Sequence, residues 1–244
     1  MKFILKYILL FSPILVKSQN FTYLALEFGP KFENYQHFDN GNELHTKPFF
    51  HSPIGGLIVG HEVQNKLAFE TGFLINNYGE SYRFKGDFGD FTSTSILACQ
   101  LPLRLKNRIN LWKNKLDLST IVGYSLVINN YYDVTSSGLY ESFSSSSGSI
   151  YHVYSEYVSK SQKRFFGLIE TGVELDYKLN NSSTLYLSTT YLAGLSKVVE
   201  LDVLYSINEG KEETANVFSN GDYFSILFGI RYPLANLLPD KIQD

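Results

Sequence analysis

One cysteine in 244 residues, Cys99, leaves no internal disulfide to form and no cysteine-based metal cluster. Its distance from the N-terminus argues against an N-terminal lipoprotein anchor. Beyond the N-terminus, no stretch reaches the roughly 18–20 unbroken apolar residues of a membrane helix. Positive charge is also scarce. Lys+Arg number 21 against 24 Asp+Glu, for a net charge of −3. Phosphate backbones need clustered Lys and Arg, so nucleic acid is excluded as a partner. Catalytic signatures are missing as well. There is no Gly-x-Ser-x-Gly elbow and no His-Glu-x-x-His pair. The adjacent His61 and Glu62 point to opposite faces if they lie in a strand, and so form no dyad. His37, His45, His51 and His152 fall in polar connections, where solvated loop residues are the simplest reading of them. The chain is therefore read as no enzyme, with no cofactor and no metal site.

Aromatic residues are the abundant class, 18 Tyr and 19 Phe against one Trp and one Met. With many Gly and Ser, they point to an all-β chain. Residues 1–18 read as a secretory signal peptide. Lys2 and Lys6 precede the apolar Ile8–Val16, which Pro13 breaks, and Ser18 supplies a small residue at the cut. Its removal takes Lys17 too and leaves a net charge of −6.

Eight segments then alternate apolar and polar residues with the period of a strand. They are expected near 22–31, 53–63, 67–76, 94–105, 115–129, 165–178, 183–195 and 224–234. The last is the clearest: Phe224, Ile226, Phe228, Ile230, Tyr232 and Leu234 oppose Ser225, Gly229 and Arg231, with Leu227 the apolar exception. Pro102 has no amide hydrogen, so a bulge or broken pairing is expected beside it. The connections run long, short, long, moderate, long, short, long, the moderate one holding Lys106, Asn107, Arg108, Trp112 and Lys113. Outer-membrane barrels sort their connections this way, with short periplasmic turns and long outer loops. The expected fold is an all-β, eight-stranded antiparallel up-and-down transmembrane β-barrel over 19–234, followed by a short periplasmic tail at 235–244. The last strand closes against the first.

With apolar faces toward lipid, the opposite faces line the lumen. They carry Glu27, Lys31, Glu62, Glu70, Gln100, Arg104, Asp117, Glu170, Glu174, Asp176 and Arg231. Eight strands leave an interior that side chains fill, and buried charges must pair. A structural charge network is expected there, acids exceeding bases, with Arg231 answering Glu27 or a neighbouring acid. Inward glycines at 56, 60, 72, 123, 172 and 229 leave room for long neighbours such as Arg. Tyrosines near strand ends, among them Tyr23, Tyr78, Tyr124, Tyr191 and Tyr223, are assigned to the headgroup girdle.

Three segments carry a family resemblance. They are Gln100-Leu101-Pro102-Leu103-Arg104-Leu105-Lys106, Gly123-Tyr124, and the closing Gly229-Ile230-Arg231-Tyr232. With the signal peptide, they resemble the PorT-like outer-membrane β-barrel family over nearly all of the mature chain. The resemblance implies export to the outer membrane of a Gram-negative bacterium and contact with outer-membrane lipid. It implies no shared biochemical activity. Gly229-x-x-Tyr232-x-Leu234 is similar to the closing signal read by the barrel assembly machinery during biogenesis, although this chain runs ten residues beyond it. The function read from the sequence is a non-enzymatic envelope, structural or surface-interaction role, with the long loops open to a surface ligand. The alternatives are a soluble lipocalin-like barrel binding an apolar ligand, a narrow pore, or a barrel enzyme.

Overall fold

The structure, a computed structural model, describes residues 21–234 except 46–48, 65, 79–80, 85–90, 93–95, 114, 131–132, 144–149 and 180–182. The segments expected to be a signal peptide, 1–18, and a periplasmic tail, 235–244, lie outside the described residues. In chain order the strands begin with β1 (Phe21–Glu33), β2 (Gln36–Asp39), β3 (Leu44–His45), β4 (Phe49–Val63), β5 (Leu67–Tyr78) and β6 (Ser81–Phe84). Next come β7 (Phe91–Thr92), β8 (Ile96–Trp112), β9 (Leu116–Asn129), β10 (Asp133–Phe143) and β11 (Ile150–Ser161). The chain continues with β12 (Phe165–Leu179), β13 (Ser183–Gly194), β14 (Val199–Ile207), β15 (Glu213–Ser219) and β16 (Tyr223–Pro233).

Eight of these close a barrel in the order β1-β16-β13-β12-β9-β8-β5-β4, each antiparallel to both neighbours. They are the eight segments whose alternation announced them. β16 closes on β1, with Glu27 opposite Gly229 and Ala25 opposite Arg231. The ladder between β5 and β8 pairs Thr71 with Leu103 and Leu74 with Gln100, and skips the positions between. Pro102 thus breaks the pairing on one side without shifting the register, and no bulge forms there.

The parity of side chains decides what the barrel faces. Outward residues are apolar and exposed: Phe28, Phe73, Leu103, Val122, Ile169 and Phe228 are each 49–61% accessible. Soluble proteins rarely leave such a continuous apolar surface in water. The outward run from Phe165 to Tyr177, at about 3.3 Å per residue and a tilt of about 40°, stands about 30 Å tall, close to a bilayer core. Among the described residues no helix is long and apolar enough to cross a membrane; strands do the crossing. A lipocalin-like barrel needs the reverse arrangement, apolar inside and charged outside, and is excluded.

Two expectations need correction. The connection after the fourth segment is no moderate turn, because β8 runs on to Trp112 and β9 begins at Leu116. Ile109, Leu111 and Trp112 continue the exposed apolar face while Lys106 continues the buried one. Lys106 and Arg108 share the parity of Arg104, so the charges that resemble a turn continue the lumen-facing side of the strand. The long connections are also more ordered than loops. They form a five-stranded sheet, β10-β11-β14-β15-β2, and a three-stranded sheet, β3-β6-β7. Tyr35, Leu44, Phe84, Val153, Leu201, Val203, Tyr205 and Val217 build a second core between them, with Phe84 and Tyr205 edge-on at 5.0 Å.

Asp39 pins this outer unit. Its Oδ2 accepts the Glu43 and Leu44 amides at 2.6 Å each, and its Oδ1 accepts the Gly41 amide at 3.1 Å and the Tyr205 hydroxyl at 2.7 Å. Burial alone raises a carboxyl pKa, but these donors outweigh it and hold Asp39 below its ordinary value. A carboxylate with a depressed folded pKa contributes stability above its unfolded pKa of about 3.9 and loses it as pH falls through the folded value. Amide exchange at Glu43 and Leu44 is therefore expected to stay slow from neutral pH down to about 4 and to accelerate below that. Asp39→Ala is expected to abolish the protection at every pH. Equal protection in the variant at neutral pH would remove Asp39 from this role.

Candidate functional site: the charged lumen

Because strand side chains alternate, every second residue of each barrel strand enters the bore. Eight carboxylates (Glu27, Glu33, Glu62, Glu70, Asp117, Glu170, Glu174 and Asp176) are buried with four cations, Lys31, Arg104, Lys106 and Arg231. Arg108 and Lys178 join from the short-turn end, pairing with Glu62 at 2.5 Å and Asp117 at 2.9 Å.

Most of the central pairs reach past the neighbouring strand, Lys106 with Glu70 being the pair between adjacent strands. Arg104 of β8 donates through Nε to both Glu170 oxygens of β12 at 2.9 Å, and through a terminal nitrogen to Glu27 of β1 at 2.8 Å. Glu27 also accepts the Tyr186 hydroxyl of β13 at 3.1 Å. Lys106 bridges Glu70 of β5 at 2.8 Å and Glu174 of β12 at 2.6 Å. Arg231 of β16 reaches Glu174 at 2.7 Å, Asp176 at 2.8 Å and Glu70 at 3.5 Å. Glu27 is thus answered by Arg104, and Arg231 answers the acids of β12 and β5. The expected proximity of Arg231 and Glu27 followed from strand neighbourhood, whereas long side chains in a narrow bore reach past the neighbouring strand.

Aromatic rings fill the space between charges. The Arg231 guanidinium lies 4.6 Å from the Tyr23 ring centre and 4.8 Å from that of Tyr186. Tyr23 donates its hydroxyl to Glu70 at 2.6 Å. Each ring rests on an inward glycine of the adjacent strand, Tyr23 on Gly60 and Tyr186 on Gly229, so these glycines receive rings. At Gly123, Arg104 does lie across, its Cγ 3.3 Å from where a Cβ would sit.

Toward the long-connection end the lining changes. Lys31 donates to Glu33 at 2.6 Å and to the Asn77 carbonyl, and sits over the rings of Tyr78 at 3.8 Å and Tyr223 at 4.9 Å. Leu74, Ala98, Val127, Phe166, Leu168, Leu192 and Val198 pack with those rings into a buried cluster. Tyr223 also donates to Gln100 at 2.8 Å, and Gln100 donates to Ser125 at 3.0 Å. Tyr23, Tyr78 and Tyr223 therefore belong to the interior and not to the headgroup girdle, whereas Tyr124 and Tyr191 face outward, 42% and 43% exposed.

Of the functional groups, sequence reasoning passed over Glu33, Lys106 and Arg108. Strict parity along β1 and β8 places Glu33 with Lys31, and Lys106 and Arg108 with Arg104. The pair His61 and Glu62 splits as alternation requires: His61 Nδ1 meets Thr22 Oγ1 at 3.1 Å, and Glu62 turns inward to Arg108. His45, His51 and His152 have side chains outside the described residues. Among the described residues, no group of three or more His, Cys, Asp or Glu side chains is placed to hold a metal ion.

No family model and no curated protein matches the sequence. Solved outer-membrane barrels do resemble the chain. The outer membrane protein OprG from Pseudomonas aeruginosa is 10% identical with a TM-score of 0.45, over 88% of this chain and 97% of that one. The outer membrane protease OmpT from Escherichia coli is 10% identical with a TM-score of 0.43, over 89% and 97%. The outer membrane protein AlkL, solved in lipid bilayers, is 12% identical with a TM-score of 0.42, over 89% and 92%. A closed antiparallel wall, apolar on its outside and charged within, makes this chain an integral outer-membrane β-barrel.

Proposed function

We propose that the chain is a closed, non-catalytic barrel that mounts a folded β unit on the cell surface, serving an envelope or surface-interaction role. The observation that carries this reading is the set of ion pairs spanning the bore, Arg104 to Glu27 and Glu170, and Arg231 to Glu174, Asp176 and Glu70. A water-filled path needs a continuous opening, and these chords with the apolar cluster above them occupy it. Charges held at such distances fill and specify the lumen. The outer sheets then supply the functional surface, since loops on a rigid scaffold are where binding residues concentrate.

In the same reading, residues 1–18 direct export and are cleaved, and 235–244 remain in the periplasm. The Gly229-x-x-Tyr232-x-Leu234 strand is the segment engaged by the barrel assembly machinery. PorT-like membership accords with the motifs on β8, β9 and β16.

Purified full-length protein is expected to give no unitary current steps in planar bilayers at any holding potential. Reproducible steps of one size would overturn the closed-barrel reading in favour of a narrow pore.

A further inference from the structure

The outer rim of the barrel is chemically uneven. On β12 the exposed apolar face ends at Phe165, and Lys163 and Arg164 immediately precede it. Leu195, 57% exposed, ends the same face on the next strand, and Lys197 follows. Lys160, on the last turnward residues of β11, points outward between the buried Ser159 and Ser161. Backbone hydrogen bonds hold these pieces together: Leu195 donates to Gly167 at 3.1 Å, Gln162 to Val198 at 2.8 Å, and Asn129 to Arg164 at 3.0 Å. All four cations are exposed.

One acid in this cluster, Glu200, is already engaged by Lys197, Gln162 and Asn216. Asp202, which shares Asn216 with it, and Asp222, whose Oδ1 accepts the Gly194 amide at 2.5 Å, are the other nearby acids, so four cations face three carboxylates and Lys163 and Arg164 carry the excess. Two of the cations are backed by aromatic rings, Lys197 by Phe218 at 4.1 Å and Arg164 by Phe165 at 5.7 Å. A cationic sector held on a rigid frame, directly above an apolar wall, matches a molecule with a phosphorylated head and acyl tails.

We propose that Lys160, Lys163, Arg164 and Lys197 bind the phosphorylated headgroup of an outer-leaflet glycolipid, whose acyl chains lie along Phe165, Ile169 and Leu195. The assignment requires the long connections to face outward and is independent of whether the lumen conducts. Each Lys or Arg at a membrane surface attracts an anionic head, and the attraction weakens within a Debye length as salt rises.

The test uses the full chain in nanodiscs of phosphatidylcholine containing a minor fraction of diphosphorylated lipid A, or of the same lipid with its phosphates removed. Lipid A retained after transfer to detergent is counted by native mass spectrometry. The wild-type protein is expected to retain the phosphorylated form about tenfold more than the dephosphorylated one, less so at high salt. The K160Q/K163Q/R164Q/K197Q variant is expected to lose that preference while keeping its heat-modifiable gel migration. K66Q/K113Q/K115Q, at the short-turn rim, is expected to keep the preference. Retention blind to phosphate, retention unchanged in the first variant, or loss in the second would each overturn the assignment. If the first variant fails to fold, the pairs K160Q/K163Q and R164Q/K197Q read the same preference separately.

Discussion

Arg231→Met is expected to destabilise the barrel by about 3–5 kcal/mol, the cost of removing one partner from a buried charge network. Arg231 is 2% exposed and meets Glu174 and Asp176 of β12 and Glu70 of β5, so its loss strands three carboxylates on two strands at once. It also withdraws the cation from between the Tyr23 and Tyr186 rings. Lys cannot substitute for it. A single ammonium has no planar fork to reach Asp176 with one nitrogen and Glu174 with another, and Arg231→Lys should recover only part of the loss. Neutralising the acids should recover more, because the penalty comes from unpaired carboxylates. R231M/E174Q/D176N is therefore expected to be more stable than R231M alone. Urea unfolding in detergent micelles, followed by the shift between compact and extended gel species, measures all three. An R231M midpoint equal to that of wild type would mean that the surrounding acids are neutral or solvated, and that the pairs contribute nothing.

Gly229→Val is expected to cost about 2–4 kcal/mol, through overpacking and the loss of a buried hydrogen bond together. A Cβ at position 229 would sit 2.1 Å from Cζ of Tyr186, and one at position 60 would sit 2.2 Å from Cζ of Tyr23. Neither ring is a free end that swings aside. Tyr186 is tied to Glu27, Tyr23 is tied to Glu70, and Arg231 lies against both. Displacing either ring thus disturbs the central ion pairs as well as the wall. Shrinking the ring should relieve the clash, so Y186L is expected to rescue G229V by more than about 1 kcal/mol in a double-mutant cycle. Additive effects would show that Gly229 is needed only for its backbone.

The barrel was readable from alternation because two different solvents, lipid and a polar bore, impose opposite chemistry on successive residues. Phe224, Ile226, Phe228 and Ile230 against Ser225 and Arg231 carry that information locally. The closing contact of β16 with β1 followed from the even strand number. Lys106 and Arg108 were misassigned to a turn because a charge in isolation looks solvated, although parity from Arg104 already placed both inside. Tyr23 shares its parity with Ala25 and Glu27, and its assignment to the girdle came from nearness to a strand end. The outer sheets were harder to see. Their pairing joins β2 to β15 and β11 to β14 across long sequence separations, and no bilayer enforces a clean apolar face on them. Which cation meets which acid was also out of reach, because it depends on strand stagger and side-chain reach across the bore.

The chords of the lumen have a consequence for the order in which the chain can be built. Glu27 waits 77 residues for Arg104 and 159 for Tyr186, and Glu70 waits 161 for Arg231. Loop closure of that span must precede any reward for the contact. An unfinished sheet in the bilayer would therefore expose carboxylates to hydrocarbon with their partners not yet delivered. Arg231 arrives on the final strand and settles three acids in one step, so charge balance and seam closure are the same event. Truncation before β16 would leave a sheet with no tolerable place in the membrane, a checkpoint written into the last eleven strand residues themselves.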